Sequence, residues 1–301
     1  MHSIWGGAVA AAVLLAGCGG HAQAGQSAEH SQEATAHASS SATPAPVAVV
    51  TARLDSVAVL GHSGATGTQS NPQDPSQDAR ENSWATGGNP RVNSIYRRLL
   101  LDHPALEGHN YNLAENGTTV DSLQFQFESL LSQANPAPDV ILIQTIDNDM
   151  RCDGSDPENY EPFAEALDRS LTTMEKGIPH VQFFIVSQWA TVEAWTSWAS
   201  HHEQQVVSNS GTGPCAVFDQ HGKTRPSAIR SMQGIVDAYW AQVEKVCRSH
   251  PGCFTDGGAE AAFVPTNRDV AADLNHLSVA GHQKFAAIAW KAFPEQIKRR
   301  P

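Results

Sequence analysis

Short apolar runs that alternate with amphipathic stretches are the feature that most restricts the fold of this chain. The runs are rich in Val, Ile, Leu and Phe, as strands buried on both faces of a parallel sheet are. They cover residues 56–61, 109–114, 140–144 and 181–187. Apolar side chains recur with the helical period in the stretches between and after them, at residues 92–101, 119–131, 162–174, 191–201 and 226–247. This alternation predicts an α/β domain with a doubly wound parallel sheet, whose sites form at the carboxyl ends of the strands.

The last helix is predicted from its own start signal. Ser278 is a good N-cap residue, and the apolar side chains that follow it lie on one helical face. They are Phe285, Ile288, Ala289 and Phe293.

Length and charge restrict the partners of the domain. With 301 residues, of which 41% are hydrophobic, the chain has enough material for one sizeable core. Its formal net charge of -12 argues against nucleic acid or an anionic membrane surface as an electrostatic partner. Neutral or cationic substrates are therefore favoured.

The amino terminus carries a targeting signal. Residues 4–17 are almost all apolar or small, and this run is shorter than the about 20 residues that a membrane-spanning helix needs. It ends in Leu15-Ala16-Gly17-Cys18, which matches the bacterial lipobox. We predict a lipoprotein signal peptide at residues 1–17, with lipidation of Cys18 after cleavage. An ordinary signal peptide is the alternative, and the absence of Lys and Arg from the first three residues departs from both patterns.

A polar segment follows Cys18 and separates it from the domain. Residues 18–52 are rich in Ala, Ser, Gln, His, Gly and Pro, so they cannot bury enough apolar surface to offset the entropy of ordering. We predict a flexible linker here and a folded domain over residues 53–301. The histidines of the linker are irregularly spaced, which favours a solvated segment over a metal site. The expected location is the bacterial cell envelope, exported and outward-facing, with the lipid anchor in the membrane.

Four cysteines remain after Cys18, and an exported protein with an even number of cysteines usually forms disulfides. Four cysteines allow three pairings. Cys247 and Cys253 flank a Pro-Gly turn, which favours a local bridge and leaves Cys152 to pair with Cys215.

Four short blocks carry the chemistry. The first is the apolar run that ends in Gly61-His62-Ser63-Gly64, and the last is Asp273-Leu274-Asn275-His276 before the final helix. Gly117 and Asn148 lie between them, each shortly after an apolar run. A serine after a strand is well placed to be a nucleophile, and an Asp-x-x-His pair lets a carboxylate hold the imidazole that deprotonates it. Ser, Gly, Asn and His in this order resemble the blocks of the SGNH, or GDSL-type, hydrolases.

The resemblance implies a fold and a role for each block. The fold would be a three-layer αβα sandwich with a flavodoxin-like parallel sheet of about five strands. Ser63, His276 and Asp273 would form the catalytic triad. The backbone N–H groups of Ser63 and Gly117 and the side-chain amide of Asn148 would hold the oxyanion. No cofactor and no metal are implied.

Two positions depart from the family pattern. His62 stands where an aspartate is usual in the first block, and Ile146 stands where a glycine is common in the third. We expect catalysis to survive both changes and His62 to alter the local charge and the substrate preference.

Other motifs are weaker. The Gly-x-Ser-x-Gly elbow of α/β-hydrolases is absent, and Gly222-Lys223-Thr224 lacks the first glycine of a phosphate loop. A calcium loop around Asp147, Asp149 and Asp153 is disfavoured because Arg151 occupies a ligand position.

Tryptophans offer a further candidate feature, a platform for stacking sugars. The three that are considered are Trp189, Trp195 and Trp198. Their helical spacing favours core packing instead.

The function expected from these features is a lipid-anchored serine esterase that forms an acyl-enzyme on Ser63. The alternatives are an O-acyltransferase or deacetylase that acts on cell-envelope glycans, and a catalytically inactive glycan-binding lipoprotein. The substrate would be a small-molecule, lipid or acylated-glycan ester, with no nucleic-acid partner, and the domain is expected to be a monomer. The four blocks do not distinguish among these esters.

Overall fold

Five parallel strands form the centre of the molecule. The computed structural model describes residues 53–300, and all neighbouring strands in the sheet run parallel, in the order β2-β1-β3-β4-β5. The strands are β1 (Val57–Gly61), β2 (Asn110–Asn112), β3 (Val140–Gln144), β4 (Gln182–Val186) and β5 (Cys253–Thr255). The predicted α/β class with a parallel sheet of about five strands is confirmed. The short β5 was not located by the apolar pattern, because its three residues are all only half-buried.

Eight α-helices surround the sheet within the described residues. They are α1 (Ile95–Leu99), α2 (Leu123–Gln133), α3 (Asp156–Gly177), α4 (Val192–Ala199), α5 (Glu203–Ser208), α6 (Pro226–Cys247), α7 (Val279–Ala292) and α8 (Glu295–Lys298). The bounds of α6 agree with those predicted. The start of α7 agrees as well, since the Ser278 hydroxyl accepts hydrogen bonds from the N–H groups of Ala280 and Gly281.

The start of α3 differs from the prediction. The helix begins at Asp156, whereas the helical period of the sequence predicts a start at Pro162. Pro157 occupies the first turn, where the missing N–H has no helical partner in any case. The Asp156 carboxylate is completely buried and accepts hydrogen bonds from the N–H groups of Arg151 and Cys152. These local bonds place the start of the helix before the second proline.

The core consists of two layers, one on each face of the sheet. Alternate strand residues point to opposite faces, so successive residues of β1 and β3 belong to different layers. One layer joins Leu60 and Ile143 to α2, α3 and α6, and the other joins Val59 and Leu142 to α1, α7 and α8. This is the three-layer αβα arrangement that was predicted.

Both predicted disulfides are present. Cys152 is bonded to Cys215, and Cys247 is bonded to Cys253. The first bridge fastens the segment after β3 to the segment before α6, and the second joins the end of α6 to β5. Both bridges therefore connect elements that are adjacent to the sheet.

The predicted signal peptide, the lipidation site Cys18 and the linker lie outside the described residues, so the predicted division of the chain stays a prediction. Within residues 53–300, no helix is long and apolar enough to cross a membrane.

Candidate active site

The turn after β1 places Ser63 at the carboxyl edge of the sheet. Gly61 ends the strand with a φ of 131°, and a Cβ atom there would lie 2.0 Å from the carbonyl oxygen of Gln144. Only glycine fits this position. His62 then caps a single turn of 3-10 helix, Ser63–Ala65, and its Nδ1 accepts a hydrogen bond from the N–H of Gly64 at 3.0 Å. Ser63 is thus the first residue of a short, capped turn, and the residue is half-buried.

The Asp-x-x-His segment folds into a local carboxylate–imidazole pair. Oδ2 of Asp273 lies 2.6 Å from Nδ1 of His276, and Oδ1 accepts the N–H groups of Asn275 and His276 at 3.1 Å each. A carboxylate so close to Nδ1 favours the tautomer that carries its proton there, which leaves Nε2 as the proton acceptor. Partial burial opposes ionisation of Asp273, but the hydrogen bonds from His276 and Asn275 hold the pKa of its carboxyl below the ordinary value.

Ser63 and His276 meet in one small pocket. The pocket has a volume of about 30 Å³, and its wall is formed by Ser63, Gly64, Gln144, Asp147, Trp189, Asn275, His276 and Leu277. The contacts between described residues include no hydrogen bond from the serine hydroxyl to the imidazole. Such bonds are often long or misaligned in a free enzyme and tighten when substrate binds. The fold therefore brings the predicted nucleophile and base together from the two ends of the domain.

Hydrogen bonds join the loop that carries Gly117 to the turn that carries Ser63. The amide of Gln126 accepts the N–H of Gly61 at 2.7 Å and donates to the Gly61 carbonyl at 2.9 Å. The Thr118 hydroxyl donates to the same carbonyl at 3.0 Å. Gly117 has a φ of 74°, which glycine adopts without strain. These bonds hold the two loops side by side.

Two of the predicted oxyanion donors are available. Neither Ser63 nor Gly117 donates its backbone N–H to another residue of the described chain. An N–H without a protein acceptor at a reaction centre is what an oxyanion site requires. This observation is consistent with the predicted roles, which stay predictions for both residues.

Asn148, the third predicted oxyanion donor, binds the Gly117 loop and does not line the Ser63 pocket. Its Nδ2 donates to the carbonyl oxygen of Thr118 at 2.9 Å, which ties the turn after β3 to the Gly117 loop. The side chain is exposed and lines a separate cavity of about 310 Å³ rather than the Ser63 pocket. An amide nitrogen has two hydrogens, so one remains after the bond to Thr118. The role of Asn148 in the oxyanion site stays a prediction.

Asp149 stabilises the turn after β3 through hydrogen bonds to two backbone N–H groups. Its carboxylate accepts the N–H groups of Val120 and Ile146 at 3.0 and 3.1 Å. Burial raises the pKa of Asp149 to about 6, although these two hydrogen bonds act in the opposite direction. Ile146 has a φ of 90°, a backbone conformation that glycine adopts more easily than isoleucine. The hydrogen bond from the Ile146 N–H to Asp149 therefore stabilises this turn at the position where the SGNH pattern commonly has glycine.

His62 is buried and incompletely bonded. The residue is 1% exposed, and its Nε2 has no hydrogen-bond partner among the described residues. The nearest acidic atom is Oδ2 of Asp147 at 3.9 Å. Burial lowers the pKa of His62, with Asp147 acting against this effect and His276 adding to it. The imidazole is therefore neutral at pH 7, and it contributes no positive charge to the pocket.

Three pocket residues were not recognised as such from the sequence. Gln144 is the polar end of an otherwise apolar strand, and its Oε1 accepts the indole N–H of Trp84 at 2.8 Å. A Cβ atom on Gly64 would lie 2.6 Å from Nε2 of Gln144, so the amide packs directly against the turn that carries Ser63. The sequence patterns relate Asp147 only to a calcium loop and Trp189 only to a stacking platform, and neither pattern indicates a place beside Ser63. The polar end of the β3 run was the available signal for Gln144.

Of the three tryptophans, only Trp189 lines the pocket. Trp198 is buried and donates its indole N–H to Asn267, and Trp195 packs against a small apolar cluster that contains Trp198 and Phe218. The favoured interpretation, core packing, holds for Trp195 and Trp198, and the alternative of a three-ring stacking platform is wrong. Over residues 53–300, no group of three or more His, Cys, Asp or Glu side chains is arranged to hold a metal ion.

Comparisons with known proteins give structural likenesses only. No protein-family model and no curated protein matches the chain. Similar solved structures include a family 3 carbohydrate esterase of Clostridium thermocellum, with 16% identity over 81% of this chain and 96% of that one, and a TM-score of 0.49. An extracellular lipase of Streptomyces rimosus has 12% identity over 79% of this chain and 99% of that one, with a TM-score of 0.49.

A third similar structure is a protein named as a GDSL-like lipase, from Parabacteroides merdae. It has 16% identity over 80% of this chain and 96% of that one, with a TM-score of 0.45. All three TM-scores lie below 0.5, so the chemistry of this chain has to be inferred from its own site.

Proposed function

We propose that the chain is a serine carboxylic ester hydrolase of the SGNH type, with Ser63 as the nucleophile. The observation that carries this proposal is the pocket shared by Ser63 and His276, in which the imidazole is held through Nδ1 by Asp273 at 2.6 Å. The unpartnered N–H groups of Ser63 and Gly117 support it further. The non-enzymatic alternative, a glycan-binding lipoprotein, gives no reason for this carboxylate–imidazole pair beside a serine.

The reaction follows from the groups in the pocket. Oγ of Ser63 adds to the ester carbonyl carbon while its proton passes to Nε2 of His276. The oxyanion that forms is stabilised by backbone N–H groups. The C–O bond to the alcohol then breaks, and the alcohol leaves with the proton from His276. A water molecule then attacks the acyl-enzyme while its proton passes to Nε2 of His276. The bond between the acyl group and Oγ breaks, His276 returns the proton to Oγ, and the acid is released from free Ser63.

The size of the pocket favours a short acyl group. A volume of about 30 Å³ beside Ser63 accommodates one or two groups of the size of a water molecule. An acetyl group is close to this size, whereas a long fatty acyl chain would need the pocket to open. The alcohol portion of the ester can extend toward solvent past Asp147, whose side chain is 44% exposed. We therefore expect activity to fall steeply from acetyl to longer p-nitrophenyl esters.

A fluorophosphonate probe tests the proposed function directly, because it reacts only with an activated serine. Labelling should occur on Ser63 and disappear in Ser63→Ala and His276→Ala. Ser76→Ala is a matched control, since Ser76 is an exposed serine that bonds only to Asp74. Absence of labelling in a folded wild-type protein would remove the esterase proposal and leave the binding alternative.

The proposed location is the outer face of a bacterial membrane, through a lipid on Cys18. Its support is the sequence pattern that ends in Leu15-Ala16-Gly17-Cys18. More than one acyl chain is enough for stable anchoring. Cys18→Ser should therefore shift the protein from the membrane fraction to the soluble fraction, and a wild-type protein without lipid would contradict the proposal.

A further inference from the structure

The Ser63 pocket has an unusual combination of side chains for a neutral ester. Its wall contains one carboxylate, Asp147, and one indole, Trp189, and none of the described residues that line it is Lys or Arg. Carboxylates and indole faces both attract organic cations. Neither is needed for the proton transfers between Ser63 and His276, so their presence calls for a role in binding.

The negative charge of Asp147 is not neutralised within the described chain. Its one potential ionic partner there is His62, whose Nε2 lies 3.9 Å from Oδ2. That imidazole is completely buried and neutral, as described above, and its Nδ1 already accepts the N–H of Gly64. The Asp147 side chain is 44% exposed. The carboxylate is therefore free to bind a group that enters from solvent.

Trp189, which also lines the pocket, is supported by a neighbouring ring. It follows β4, and Phe263 packs against its ring at 5.3 Å between centroids with an interplanar angle of 69°. Phe263 is itself fully buried, so the indole rests against the core. The nearby cation Lys284 lies over Phe263 and is paired with Asp269 at 3.0 Å. The Asp269 carboxylate thus neutralises the positive charge of Lys284, so Lys284 does not repel a cation in the pocket.

We propose that this pocket selects esters whose alcohol portion carries a quaternary or protonated ammonium group, which binds to Asp147 and Trp189. The proposal rests on the esterase function proposed above and names a substrate class for it. A cation is stabilised by the carboxylate and by the face of the indole, and the net charge of -12 favours its approach. The same groups disfavour anionic esters, so the expected order of preference is cationic, then neutral, then anionic.

A matched pair of ester substrates isolates the effect of a positive charge on the alcohol portion. Acetylcholine and 3,3-dimethylbutyl acetate have nearly the same shape and differ in one nitrogen for carbon, hence in one positive charge. The ratio of their kcat/KM values cancels effects on acyl transfer that both esters share. We expect a ratio of at least about 10 for the wild type, which corresponds to about 1.4 kcal/mol.

Substitutions of Asp147 and Trp189 test whether these residues cause the preference for the cationic ester. Asp147→Asn keeps the shape of the side chain and removes its charge, so the ratio should fall at least about threefold, to the preference that Trp189 alone provides. Trp189→Leu should lower the ratio by a factor of about 3 to 10, as expected for loss of one cation–π contact. Asp102→Asn is the control, because it removes one charge from an exposed residue outside the pocket and should leave the ratio unchanged.

Two results would overturn the proposal. One is a wild-type ratio near 1, and the other is a high ratio that Asp147→Asn leaves unchanged. If neither ester is hydrolysed and the fluorophosphonate does not label Ser63, the proposed function fails first. Calorimetric titration of Ser63→Ala with choline then decides the cation site alone. Binding that Asp147→Asn weakens would support the site, and the absence of binding would refute it.

Discussion

Glu260 should make the stability of the fold decrease as the pH rises. The residue is completely buried, and neither carboxyl oxygen has a hydrogen-bond partner among the described residues. Burial, with a smaller contribution from the nearby Asp256 carboxylate, raises the pKa of Glu260 from 4.5 to about 10. Between these two values the folded state holds the proton and the unfolded state does not. The stabilisation is therefore fully present below the unfolded pKa and is lost as the pH rises toward the folded pKa.

The magnitude follows from proton linkage. One proton bound only in the folded state lowers the free energy of unfolding by about 1.4 kcal/mol for each unit of pH. From pH 6 to pH 8, Glu260 alone should then cost about 2.7 kcal/mol. Glu260→Gln cannot ionise, so this contribution to the slope should disappear. The buried amide brings its own cost of about 1–3 kcal/mol when unpaired, but that cost does not vary with pH.

The assay is urea unfolding with the disulfides intact, at several pH values between 6 and 8. The slope of the free energy of unfolding against pH should differ between wild type and Glu260→Gln by about 1.4 kcal/mol per unit. Glu161→Gln is the matched control, since Glu161 is exposed on α3 and should leave the slope as it is in the wild type. Parallel curves for wild type and Glu260→Gln would refute the reasoning, because they would mean that Glu260 is ionised in the fold at neutral pH.

Three further predictions concern the site and its supports. Asp273→Asn should lower kcat by about 10⁴-fold with little change in KM, because the amide no longer favours the imidazole tautomer that accepts the serine proton; steady-state kinetics on p-nitrophenyl acetate measure this, and an unaffected kcat would contradict the triad. Asn148→Ala should lower kcat by about 10²–10³-fold if its free N–H stabilises the oxyanion, whereas a well-folded variant with normal turnover and a lower Tm would show that the residue only ties the loop to Thr118. Replacing both cysteines of the Cys152–Cys215 bridge with serine should lower the free energy of unfolding by about 4 kcal/mol on the chain-entropy model, and unchanged urea unfolding would count against it.

The sequence by itself determined those features that depend on near neighbours or on a simple period. Apolar runs of strand length predicted four of the five strands, because buried parallel strands need a continuous apolar surface. The carboxylate–imidazole pair was predictable because Asp273 and His276 are three residues apart and meet within one turn. Ser278 as a helix cap follows the same local logic.

Only the tertiary structure decided which distant side chains share the pocket. Asp147 and Trp189 belong to turns after different strands, and they meet at Ser63 because parallel strands place their carboxyl ends at one edge. The periodicity of the sequence does not predict which side chains from different turns lie close together. The burial of Glu260 and His62 likewise depends on what packs over them, since an ionisable side chain is usually exposed unless the surrounding fold covers it. Local hydrogen bonds and periodic elements can thus be predicted from the sequence, because they depend on residues that are near each other in the chain. The burial of side chains and the charge around Ser63 depend on how the layers pack.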